Sequence, residues 1–240
     1  PTRFIVFDHR VNDLVSLLED SKGQLWGGNT VSLIRIDRKN KQHQFYNLGK
    51  PVRAIFEDTK KNLWIGLEGG GLVLFDAAKG VIKKRYSSAD GLCNNAVLNI
   101  EEDGKGFLWL STFNGLSKFD PATSTFKNFY ESDGLQSNQF SYNASYKLRS
   151  GELLFGGING FNVFVPEKIS QRTFTPPLYI TNILINNKTV SEVSDYIKEA
   201  GGTGISELRI PFKEAVLSFE FTALEYTSPE KISYAYYLDG

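Results

Sequence analysis

Hydrophobic and polar positions along this chain alternate with the period of strands. Val15–Leu18, Val52–Phe56 and Val97–Ile100 are short β-prone runs, each ending in an acid-rich turn. Alternation over such runs sends successive side chains to opposite faces, as in a half-buried strand. In each turn an Asp at the first position is expected to accept backbone N–H groups. Gly23, Gly106 and, in the second copy, Asn62 are read as the residues that tolerate positive φ. The chain then reverses into a Leu-Trp strand, which makes a hairpin. Helical periodicity is nearly absent; Val190–Ala200 reads as a short helix or equally as loop.

The hairpin recurs in one frame. Glu19-Asp20-Ser21-Lys22-Gly23-Gln24-Leu25-Trp26 is matched by Glu57-Asp58-Thr59-Lys60-Lys61-Asn62-Leu63-Trp64 and by Glu102-Asp103-Gly104-Lys105-Gly106-Phe107-Leu108-Trp109. In each, Asp precedes Trp by six positions and an apolar residue (Leu17, Ile55, Ile100) precedes Asp by three. A second element follows as Leu33–Asp37, Gly71–Asp76 and Gly115–Asp120, the last two ending in Phe-Asp. A third recurs as Asp90-Gly91-Leu92-Cys93-Asn94-Asn95 and Asp133-Gly134-Leu135-Gln136-Ser137-Asn138. A fourth, eroded copy runs from Gly151 to Phe164, with Leu154 in the tryptophan slot.

A period of about 40–45 residues with one Trp per unit is the mark of a propeller blade. The Leu-Trp strand leads through a Gly-rich loop to the third strand, and Phe45-Tyr46, Tyr86 and Phe129-Tyr130 end the fourth. Four strands per unit make one blade. Pro1–Asp8 reads as the last strand of a preceding blade. The expected fold is therefore all-β: a partial β-propeller of about three and a half four-stranded blades over residues 1–168, cut from a larger propeller. A polar connector at 169–177 follows. Residues 178–240 carry a new β pattern in Leu178–Ile185, Ser206–Ile210 and Ala215–Leu224, read as the start of a truncated, Ig-like β-sandwich. The chain opens on Pro1 without a starting Met, so it reads as a piece of a longer protein.

Composition narrows the chemistry. With 27 basic and 27 acidic side chains the net charge is zero, where a nucleic-acid binder shows a basic excess. No run approaches the roughly 18 apolar residues of a membrane span, and the first residues do not read as a signal peptide. One cysteine, Cys93, excludes an internal disulfide, and two histidines, His9 and His43, leave little for a metal centre. No metal and no cofactor are expected.

The Glu-Asp-x-x-Gly-x-Leu-Trp hairpin, the Gly-Leu-x-x-Phe-Asp strand and the Asp-Gly-Leu-x-x-Asn linker together resemble the two-component regulator propeller repeat. The tail resembles the Tyr-Tyr-Tyr domain that follows such propellers, with Tyr226, Tyr234 and Tyr236 in the tyrosine slots. The resemblance implies the periplasmic sensor region of a Bacteroides-type hybrid histidine kinase, one that responds to an oligosaccharide and regulates polysaccharide utilisation. It further implies a homodimer formed through the sandwich, a membrane helix beyond the C-terminus, and kinase activity elsewhere, with no enzyme in this segment. Asn62 in the turn, Gly27 after Trp26 and the lost Trp of the fourth copy depart from the pattern.

Repetition argues against catalysis by the Glu-Asp pairs, since a catalytic pair should be unique, and the tryptophans read as inter-blade core. Irregular loop positions are more informative. Loops joining strands two to three, and one blade to the next, share one face around the central opening. There the candidate ligand contacts are Asn29, Glu68, Phe113, Asn114, Asn138 and Gln139: amides for hydroxyls and one ring for stacking. The competing reading is that the Asn residues cap turns. A propeller lyase of the streptogramin-lyase type is the enzymatic alternative, with His9 in an inter-blade link as its base and His43 read as solvated. A protein-interaction propeller is the third, and would present an exposed apolar patch.

Overall fold

The computed structural model describes residues 4, 6–169, 177–189, 197–201, 204–210, 216–224, 232 and 234–237, with 197–201 and 204–208 described by backbone alone. Two units divide the chain, Pro1–Ser170 and Gln171–Gly240.

The first unit is built of antiparallel sheets in which neighbours in sequence pair in space. Blade one comprises β1 (Ser16–Glu19), β2 (Leu25–Gly28), β3 (Ser32–Ile36) and β4 (Gln44–Asn47); blade two comprises β5 (Val52–Glu57), β6 (Leu63–Leu67), β7 (Gly71–Asp76) and β8 (Val81–Tyr86). Blade three comprises β9 (Val97–Glu102), β10 (Leu108–Thr112), β11 (Leu116–Asp120) and β12 (Thr125–Phe129), and blade four the three strands β13 (Phe140–Lys147), β14 (Leu153–Gly157) and β15 (Gly160–Phe164). The core lies between blades. Trp26 with Leu63, Ile65 and Phe75 joins blades one and two; Trp64 with Ile100, Leu110 and Phe119 joins two and three; Trp109 with Leu153 and Phe155 joins three and four. First strands face inward: β5 lies against both β1 and β9, and β9 against β13. The fold is a partial β-propeller.

In each of blades one to three, one carboxylate ties the hairpin to this core. Trp26, Trp64 and Trp109 each donate an indole N–H to the Asp six positions earlier, at 2.9, 2.8 and 3.0 Å. The other oxygen of the same Asp accepts turn N–H groups, from Lys22 and Gln24, from Asn62, and from Lys105 and Phe107. The Glu beside it reaches the neighbouring blade instead. Glu57 accepts from the N–H and hydroxyl of Ser21, and Glu102 from those of Thr59.

Three local expectations change. In the second turn the left-handed residue is Lys61 (φ 66°), not Asn62, because Lys61 aligns with Gly23 and Gly106. Asn62 instead donates its amide to Asp58. The N-terminal segment forms no strand among its described residues 4 and 6–8; Phe7 and Asp8 pack on His43 of blade one, so the contact is made by side chains rather than a backbone ladder. Ile197–Gly201 is strand where a helix was one reading, pairing with Gly204–Leu208, while residues 190–196 lie outside the described set. Gly27 also has a reason: a Cβ there would stand 2.8 Å from Leu14 Cδ2, so the connector's leucine fills the space a side chain would take.

In the second unit β16 (Leu178–Ile185) pairs with β17 (Lys188–Thr189) and β20 (Leu217–Ala223), and β18 (Ile197–Gly201) pairs with β19 (Gly204–Leu208). Alternation in β20 puts Leu217, Phe219 and Phe221 on one face, opposite Ile185, Ile183 and Ile180. Tyr234 packs edge-on against Phe221 and its hydroxyl accepts the Ala223 N–H at 3.1 Å, while Tyr236 and Tyr237 are exposed. Tyr226 lies outside the described residues.

Candidate functional site

At the entry ends of their first strands, blades two and four break register. The ladder shifts between Val52 and Ala54 in β5 and between Phe140 and Ser145 in β13, where Asn143 takes φ 51°. A bulge re-aims the side chains beside it. Arg53 and Tyr142 are the residues so placed. Arg53 Nε lies 2.5 Å from Glu68 Oε2, the Tyr142 hydroxyl donates to the same oxygen at 3.2 Å, and the guanidinium stands 4.8 Å from the Tyr142 ring centroid. Phe113, in the strand two-to-three loop of blade three, meets Tyr142 edge to face at 5.7 Å. Asn143 donates to the Val15 carbonyl of blade one at 3.1 Å. Partial burial, then the neighbouring Glu68 carboxylate, push the Tyr142 hydroxyl above the usual tyrosine range, so it remains a donor. Three blades thus contribute two aromatic faces, a cation and an acceptor to one cluster.

Of the six candidates read from the sequence, Glu68 and Phe113 are in this cluster. Asn29 is buried; its side-chain oxygen accepts from Val31 and Ser32 and its amide donates to Asn12. Asn138 accepts the Glu131 N–H at 2.7 Å, as Asn95 accepts that of Ser88, and each closes the connector of its own repeat. Asn114 and Gln139 are exposed. Arg53 and Tyr142 were missed, because strand positions read as core. A polar Tyr142-Asn143 pair inside a strand was the available signal.

Two other reactive groups, His43 and Cys93, are largely enclosed. His43 is not solvated: its side chain is 1% exposed, Nδ1 accepts the Asp37 N–H at 3.1 Å, and Nε2 lies 3.3 Å from Asp8 Oδ2. Arg10, on Asp8 through side chain and backbone, holds the Asp8 carboxyl well below the usual carboxylate range. His9 is exposed. Burial pushes the Cys93 thiol up, against hydroxyl contacts from Ser117 and Thr112, which makes it a poor nucleophile. Among the described residues no cluster of His, Cys, Asp and Glu could hold a metal ion, and no helix is long and apolar enough to cross a membrane.

Glu101 gives a pH prediction. Burial raises its carboxyl, opposed by the Ser145 hydroxyl at 2.8 Å and by Lys147. A folded-state value above the unfolded one means the folded protein holds the proton longer. Stability is then lost as pH rises from the ordinary glutamate range through the raised value. Glu101→Gln keeps the hydroxyl contact and should be more stable than the parent near neutral pH, with a flatter profile above the glutamate range. Urea unfolding across pH checks this; an unchanged profile would refute it.

Residues 91–114, from the linker through the third tryptophan hairpin, match the family model for the two component regulator propeller. The chain is 28% identical over 95% of its length to the curated histidine kinase P4 of Formosa agariphila, and spans 17% of that protein. Among solved structures, the extracellular domain of a hybrid two-component system from B. thetaiotaomicron shares 24% identity and a TM-score of 0.57, over 71% of this chain and 26% of that one. A catalytically inactive virginiamycin B lyase from Staphylococcus aureus, solved with quinupristin, shares 15% identity and a TM-score of 0.52, over 85% and 72%. The likeness to both structures is one of fold. The stretch that matches the two component regulator propeller model includes part of the hairpin frame that recurs in three successive blades, so the likeness to that repeat extends along the first unit.

Proposed function

We propose that this chain belongs to the periplasmic sensor region of a hybrid two-component histidine kinase, that its propeller face binds an oligosaccharide, and that a dimer of the second unit relays binding to a kinase controlling polysaccharide utilisation. The similarity to a histidine kinase along 95% of the chain supports the sensor part. The ligand part rests on one observation, the convergence of Arg53, Glu68, Phe113 and Tyr142 from three blades at one face. Aromatic faces take the C–H side of a pyranose, and a paired cation and carboxylate take its hydroxyls from opposite sides.

Calorimetric titration of the complete sensor region against plant, host and fungal oligosaccharides tests this. One sugar class should bind, and Phe113→Ala or Tyr142→Ala should weaken it by about tenfold or more, the equivalent of ~1.4 kcal/mol. A silent panel, or variants that bind like the parent, would overturn it. Turnover of a panel member with Mg²⁺, abolished by His9→Ala, would move the reading to the lyase class.

A further inference from the structure

One pair of positions in the repeat departs from its pattern in blade three. In blades one and two a small residue of the first strand stands opposite a glycine of the second: Ser16 opposite Gly28, and Ala54 opposite Gly66. Blade four keeps the combination, since a Cβ on Gly156 would stand 3.1 Å from that of Ala144. The glycine admits the next blade. A Cβ on Gly28 would collide with Val52, and one on Gly66 would stand 2.8 Å from the Val97 carbonyl oxygen. Blade three has Asn99 opposite Ser111 instead, and both are buried.

Polar side chains in a core position cost free energy unless they are hydrogen-bonded, and the partners of Asn99 lie in blade four. There β13 breaks register between Phe140 and Ser145, so residues 141–144 stand where β14 offers Gly156 alone. Asn99 takes the place of the missing strand. Its Nδ2 donates to the Ser141 carbonyl at 2.8 Å and its Oδ1 accepts the Ala144 N–H at 3.1 Å, the donor and acceptor that a backbone peptide would offer. Nδ2 also donates to the Ser111 hydroxyl at 2.7 Å, which leaves the amide fully paired. Both ends of the bulge are thus held, and Asn143 within it donates across to the Val15 carbonyl. Between those points lies Tyr142, whose ring and hydroxyl meet Arg53, Glu68 and Phe113.

We propose that Asn99 is the positioning residue of this cluster: it closes the bulge at 141–144 as a surrogate strand and so aims the Tyr142 ring at Arg53 and Phe113. That the aim serves a ligand rests on the oligosaccharide reading above. A tyrosine on an unbraced loop would lose its rotamer freedom on binding. A braced one has lost it on folding, which leaves more of the contact energy as affinity.

The test is tetranitromethane nitration of the complete sensor region, with Tyr146, exposed on the same strand, as internal reference. Arg53 and Phe113 cover the Tyr142 ring, and its raised hydroxyl further slows a reagent that attacks the phenolate. Asn99→Leu keeps the volume and cuts both contacts to the bulge, so nitration of Tyr142 relative to Tyr146 should rise severalfold. Asn99→Ala combined with Ser111→Gly installs the pair that blade two carries at Ala54 and Gly66, and should raise the ratio equally. Ser111→Ala cuts only the tie within blade three and should leave the ratio at the parent's value. An unmoved ratio in the Asn99 variants, or an equal rise in Ser111→Ala, would overturn the proposal. So would loss of folding in both Asn99 variants, because Asn99 would then support blade three as a whole. An oligosaccharide of the panel that binds the parent should bind Asn99→Leu about tenfold more weakly or worse, and equal binding would also overturn it. The nitration ratio needs no sugar, so a silent panel ends the ligand reading alone.

Discussion

Asp58→Ala is expected to destabilise the propeller unit by about 3–5 kcal/mol, read from the urea midpoint at constant slope. One carboxylate oxygen accepts the Asn62 N–H at 2.8 Å; the other accepts the Asn62 amide at 2.9 Å and the Trp64 indole N–H at 2.8 Å. Trp64 is 2% exposed, so water cannot replace the lost acceptor. An orphaned buried donor costs about 1–3 kcal/mol, and hydrogen bonds to a charged group are worth roughly 1.5–3 each before water compensates the turn. Trp64→Phe removes the indole donor while keeping a ring. The two changes together should therefore cost clearly less than their sum. Strict additivity would mean that the indole and the carboxylate do not interact.

Gly71→Ala is expected to cost at least about 3 kcal/mol. Gly71 has φ +74°, and a Cβ there would stand far inside contact distance of the Tyr86 carbonyl oxygen, a backbone atom that cannot rotate away. Its own N–H is held by the Asn95 carbonyl at 2.8 Å, which stops the segment from yielding. The left-handed backbone alone costs roughly 1–2 kcal/mol, and forced overpacking adds about 1–3. Gly134 is the control: its φ is +97° but nothing lies within 4 Å of the added carbon. Gly134→Ala should therefore show only the backbone cost. Equal losses at the two sites would mean that blade two relaxes around the clash.

These two sites mark how far sequence reading reached. The Asp-to-Trp interval of six was visible three times, yet it read as a turn residue followed by a core residue. The bond between them appears only when the hairpin folds back and brings the indole edge over the carboxylate. Repetition hid its own meaning at Glu57 and Glu102, which read as spare turn acids. Their partners, Ser21 and Thr59, lie 36 and 43 positions away across a blade boundary, a distance no local pattern spans. His43 likewise read as solvated from polar neighbours, whereas Phe7 and Asp8 from outside its strand enclose it.

The sequence by itself determined the blade. Strand alternation, Asp and Gly at turns, and one Trp per repeat are local signals, and they specify a hairpin whichever blade it belongs to. Glu68 and Phe113 were within reach because loops between propeller strands gather on one face by topology alone. Only the tertiary structure decided that Arg53 and Tyr142 join them. Their direction depends on bulges that open where a first strand meets the ends of its neighbours. The cluster is assembled by the stacking of blades two, three and four, whose contributions are tens of residues apart in the chain, so its geometry is a property of packing between repeats and not of any one repeat.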